Sequence, residues 1–110
     1  MLIDSINNTT IITQEKLSIK ELIDKINSIY KTLKNNNIII CLVSLETIFN
    51  SDIIDFLPLS NTHREANHSF VLVSNKIDID NTPDELIIVP TLQEAHDLIE
   101  MEEMERDLGL

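Results

Sequence analysis

The run Ile38-Ile39-Ile40-Cys41-Leu42-Val43 is apolar at every position. A strand with one wet face alternates apolar and polar residues, so an unbroken run of this kind marks a parallel strand covered on both sides. The chain must therefore supply helical layers, and its flanking segments do. Ser18 and Glu21 form a capping box, and Ile19, Leu22, Ile23, Ile26, Ile29, Tyr30 and Leu33 recur at the three-and-four spacing of one helical face. From Asp52, the residues Ile53, Phe56, Leu57 and Leu59 return to roughly helical spacing until Asn67, with Pro58 in a first turn or at a kink. Pro90, Thr91 and Glu94 open a last, capped helix. Phe70 to Val73 and Leu86 to Val89 read as further strands, and Leu2 to Ile6 and Thr9 to Thr13 as two short strands whose Asn7-Asn8 gap suits a hairpin. The expectation is an α/β fold, a mixed sheet with helices packed on it and helical crossovers between the later strands.

The chain has 110 residues, which suits one domain over 1–110. Its only glycine is Gly109, so neither of the glycine-rich phosphate-binding loops can be built, and nucleotide enzymes of those classes are excluded. Asn, Asp, Ser and Pro make the turns instead. A net charge of −11 opposes phosphate binding, and three Phe, one Tyr and no Trp leave no stacking platform, so nucleic acid and anionic membrane are poor partners. The single cysteine, Cys41, reads as a buried thiol, and with no export signal or long apolar span the expected location is a reducing cytoplasm.

Catalytic groups are sparse. His63, His68 and His96 show no spacing that sets two imidazoles on one metal, so no metal site and no cofactor is implied. His63, beside Arg64 and Glu65, reads as part of a solvated surface patch, and Asp52 and Asp55 as acids that favour a helix amino terminus rather than an acid–base pair. Cys41 has no basic neighbour in sequence to activate it. A ligand carrier needs an apolar pocket of several hundred cubic ångströms, for which the sequence gives no sign. Ser51 opens the helix after the central strand; it reads as a cap, with a phosphate acceptor as the functional alternative.

The stretch Ile38 to Ser51, together with Val89-Pro90-Thr91-Leu92-Gln93-Glu94-Ala95, resembles the STAS domain of anti-sigma factor antagonists and sulphate-transporter tails. Ser51 falls at that family's phosphorylatable serine, which makes it the candidate phosphorylation site. Asn50 replaces the family's Asp, and Asp52-Ile53 replaces its small residue and glycine. On those departures Ser51 is expected to stay unmodified and cap the helix, with Ser51→Ala costing about 0.5–2 kcal/mol. More narrowly, residues 91–110 are similar to small STAS-like bacterial proteins found beside ribonuclease Z and sometimes carrying its name. The nuclease needs an HxHxDH kind of metal motif, and the chain has no HxH.

The extended acidic helix expected over 91–110 carries Glu94, Asp97, Glu100, Glu102, Glu103, Glu105 and Asp107 against Arg106 alone. Leu92, Ala95, Leu98, Ile99, Met101, Met104 and Leu108 read as one apolar stripe. Residues 91–108 would span roughly 27 Å against about 20 Å for a strand of six residues, so the tip is expected to overhang the sheet. The expected function is a non-enzymatic regulatory or protein-binding module that docks through its helices. Met101, Met104 and Leu108, flanked by Glu102 and Glu105, would enter a basic-rimmed groove on another protein. The alternative is an accessory subunit of ribonuclease Z without a nuclease motif of its own. Self-association is left open.

Overall fold

The computed structural model describes residues 1–15, 18–45 and 48–109. Glu46 and Thr47, within the stretch Ile38 to Ser51, and Leu110, the last residue of the expected acidic helix, lie outside them. Among the described residues five strands form one sheet in chain order: β1 (Leu2–Ile6), β2 (Thr9–Thr13), β3 (Asn37–Cys41), β4 (Phe70–Val73) and β5 (Ile87–Val89). β1 and β2 are antiparallel and the other three pairs parallel. Asn7, at φ 55°, turns the hairpin between them; asparagine tolerates this left-handed conformation better than most residues.

The period-two alternation of the strands divides the core. Ile12, Ile38, Ile40, Leu42, Phe70, Leu72 and Ile88 point to one face, and Ile11, Ile39, Cys41, Val71 and Val73 to the other. Because strand order advances in one direction from β2 to β5, right-handed crossovers place every connection on the same face. That face is covered by α1 (Ile19–Leu33), α2 (Asn50–Ile54) and α3 (Leu57–Glu65), through Leu22, Ile26, Ile53, Phe56 and Leu59. α4 (Leu92–Asp107) follows the last strand and covers the other face with Ala95 and Ile99. β3 is third of five, and all its residues are buried.

Ser18 caps α1, its hydroxyl accepting from the Glu21 N–H at 3.2 Å. The helix expected from Asp52 to Asn67 is two helices, α2 and α3. Pro58 lies in the first turn of α3, where its missing N–H costs no helical bond. The crossover from β4 to β5 is not helical either: it is an irregular segment with one 3₁₀ turn, Ile79–Asn81, and it packs Ile77 and Leu86 on the first face. Asp78 caps that turn by accepting from the Asp80 N–H, so its local polar bonds replace a helix.

Candidate functional site

α4 begins with Thr91, whose hydroxyl accepts from the Glu94 N–H at 3.2 Å. Ala95 and Ile99 lie against β3 and β4, and no buried apolar residue follows them along the helix. The inner face continues instead as a polar seam. Arg64 of α3 pairs with Glu102 at 3.0 Å, and the Asn8 amide donates to Glu103 at 2.6 Å. Arg106 donates to the Ser69 hydroxyl at 3.2 Å and to the Asn37 side-chain oxygen at 3.3 Å. Asn37 is itself buried and accepts the Ser69 N–H at 2.8 Å, so Arg106 ends on a fixed acceptor.

This geometry corrects two expectations. The helix tip does not overhang: Asn8 before β2, Asn37 at the start of β3 and Ser69 before β4 extend the platform and bond Glu103 and Arg106 in its last turns. Nor do the apolar residues form one stripe. From Ile99 to Met101 is two residues, about 200° of helical rotation, which carries Met101, Met104 and Leu108 to the side facing away from the sheet. They are 50%, 59% and 72% exposed. Glu105 is exposed near them, whereas Glu102 is held in its ion pair on the inner side.

Ser51 is exposed in the first turn of α2, between Phe49 and Ile54, which are exposed as well. It is not the cap. Phe49 occupies that position, with no side-chain cap bond, because the helix starts at Asn50, two residues earlier than a Ser51 cap requires. Asp52 does lie in the first turn, where it complements the helix dipole, but Asp55 is at the other end of α2. The apolar pair Phe49 and Ile54 escapes sequence reasoning, since neither fits a helical stripe.

His63 is fully buried, against the expectation of a solvated residue. Phe56, Leu59 and His63 share the sheet-facing side of α3, and the imidazole packs edge-on to Phe70 and against His68, 6.2 and 5.4 Å between centroids. Its Nε2–H donates to the Asn36 carbonyl at 2.6 Å, which leaves Nδ1 to accept from the Tyr30 hydroxyl at 2.7 Å. Burial holds the imidazole pKa below the usual histidine range; the Asn36 bond opposes this, and the charges of His68 and Arg64 reinforce it. Burial also raises the Tyr30 phenol. The ring is thus a neutral bridge between α1, α3 and the turn before β3.

Open clefts lie among the described residues. One of about 350 Å³ lies between α1 and α3, lined by Ile23, Tyr30 and Leu59 with polar Asn27, Asp55 and Thr62. Another, of about 370 Å³, lies between the hairpin turn and α4, beside His96, Glu100 and Glu103. Among the described residues no three His, Cys, Asp or Glu side chains converge to hold a metal, and no helix is long and apolar enough to cross a membrane.

No family model matches the chain, and no curated protein matches it in sequence. Solved structures do match. A chain from a study of the molecular architecture of the stressosome, a signal integration and transduction hub, superposes with TM-score 0.60 over 90% of this chain and 96% of its own, at 12% identity. A serine-to-glutamate form of RsbS from Moorella thermoacetica gives 0.62 over 90% and 93%, at 13% identity. The fold is that of a STAS domain.

Proposed function

We propose that the chain is a single-domain, non-catalytic regulatory module that works by docking to another protein, and that the outer face of α4 is a docking surface. The observation that carries this is the separation of the helix into two sides. Its inner side is occupied along its full length, by Ala95 and Ile99 and then by Glu102, Glu103 and Arg106. Its outer side leaves Met101, Met104 and Leu108 in water, a costly arrangement for a helix otherwise rich in charge. Met side chains adapt to varied apolar surfaces, and Glu105 and Asp97, both exposed, select a basic rim around the groove they enter. Glu102 contributes indirectly, by holding the helix in place through Arg64. The likeness to a stressosome chain supports the reading, since a signal-integration hub is built from protein contacts.

Ser51 is unmodified in this reading: Asn50 and Asp52-Ile53 depart from the motif around the family's serine. Nothing among the described residues favours the accessory-subunit reading. A photo-crosslinking residue placed at Met104, with a second chain carrying it at exposed Lys20 on α1 as control, tests the surface in native lysate. A discrete protein adduct from position 104 and none from position 20 is expected; equal labelling from both would overturn the assignment.

A further inference from the structure

The sheet has an open side. Among the described residues β1 has β2 as its only strand neighbour, and all five of its residues are exposed. Edge strands are normally blunted by Pro, Lys or a bulge, because their free N–H and C=O groups template another strand. β1 carries none of these, and it presents Leu2, Ile3 and Ile6 at 58%, 47% and 49% exposure. Its register is regular throughout, from Leu2 opposite Thr13 to Ile6 opposite Thr9. In a two-residue hairpin the residues flanking the turn form the hydrogen-bonded pair. Ile6, Asp4 and Leu2 therefore bond inward to β2, and the backbone groups of Ile3 and Ser5 point outward.

The one device at this edge is Asp4. Its carboxylate accepts the outward Ser5 N–H at 2.9 Å, covering a donor that an added strand would use. Such a cover is released best by a competing cation. Leu2, Asp4 and Ile6 share one face of the strand, so they ask an incoming segment for an apolar, a basic and an apolar residue at alternate positions. The same face runs on past Ile6 to the cleft where Glu100 and Glu103 stand, which adds to the negative potential along the edge. A second copy of this chain is a poor occupant: each molecule carries −11, and a symmetric pairing centred on the strand sets Asp4 against Asp4.

We propose that β1 receives an extended basic segment of a partner protein, which joins the sheet as a sixth strand and sets a Lys or Arg against Asp4. Main-chain bonds to Ile3 and Ser5 supply the affinity, and the charge at Asp4 the selection. This site deepens the proposed docking function but rests on the sheet edge, independently of α4.

The probe is the peptide Ser-Val-Thr-Lys-Thr-Val-Ser, with a Lys-to-Glu counterpart, titrated into isotopically labelled full chain by NMR. The Lys peptide should shift the β1 amides and slow hydrogen exchange at Ile3 and Ser5, and the Glu peptide should bind about ten-fold more weakly or worse. Ser5→Pro removes the outward donor at an edge position that tolerates proline, and an unchanged melting temperature checks that it folds; it should lower affinity to the same degree. Met101→Gln with Met104→Gln should leave peptide affinity within about two-fold, because a charge-selected strand site does not involve that face. Equal binding of the two peptides, no β1 shift at millimolar peptide, or shifts confined to α4 would overturn the proposal. So would β1 shifts that appear with protein concentration alone, which would seat a second copy there.

Discussion

Lowering the pH should remove stability through His63, and the effect can be isolated. The folded ring is neutral, donating from Nε2 to Asn36 and accepting at Nδ1 from Tyr30, and burial keeps its pKa below that of an unfolded histidine. The unfolded state therefore binds the proton more readily. His63's contribution is fully present above pH about 6.5 and is lost as the pH falls from there toward the folded pKa. Other groups move oppositely, since neutralising carboxylates relieves the repulsion of a −11 chain, so the wild type alone is a poor reporter. His63→Gln keeps a donor and an acceptor without a titration near neutrality. The stability of wild type minus that of His63→Gln, from urea melts between pH 7.5 and 5, should decline with pH and vary by no comparable amount above pH 7. Tyr30→Phe gives the neutral-pH magnitude. It leaves the Nδ1 of a fully buried ring without its donor, at a cost of about 1–3 kcal/mol, or roughly 4–8 °C of melting temperature per kcal/mol. A wild-type minus His63→Gln difference that is flat or rises on acidification would refute the reasoning, as would a Tyr30→Phe chain as stable as wild type.

Ser51→Ala should change stability by less than about 0.5 kcal/mol in denaturant melts, because Phe49 holds the cap position. Thr91→Ala should cost about 0.5–2 kcal/mol in the same assay, since its hydroxyl does accept from Glu94. Arg64→Ala should cost at most about 1 kcal/mol, the ion pair with Glu102 being partly solvated, yet speed amide exchange in α4 beyond Ile99, where polar bonds alone hold the helix.

The sheet is legible in the sequence because its signal is redundant. Ile38, Ile39 and Ile40 are apolar on both faces of β3, and the later runs Phe70 to Val73 and Leu86 to Val89 stand between clear turn residues; they form β4 and β5. Ser18 and Thr91 announce their helices because a cap is a local bond that needs no tertiary partner. His63 misleads through its polar neighbours Arg64 and Glu65, although it stands seven residues after Phe56 and four after Leu59, the spacing of one buried helical face. Its partners, Tyr30 and Asn36, come from distant segments, so nothing local marks the pair of bonds that permit its burial. The split of α4 into two faces is available in the rotation between Ile99 and Met101. The polar seam is not, because Arg64, Asn8, Ser69 and Asn37 meet the helix only through the fold.

The central claim is that the outer face of α4 docks a basic-rimmed groove while its inner face holds the domain together. It is tested most directly by quantitative capture from native lysate with wild type and with Met101→Gln/Met104→Gln, at low and at moderate salt. The exposed pair should be replaceable without loss of stability, so the variant should melt with the wild type and yet lose the partner. Capture by wild type should fall as salt screens Glu105 and Asp97. Undiminished capture by a folded double variant would contradict the claim.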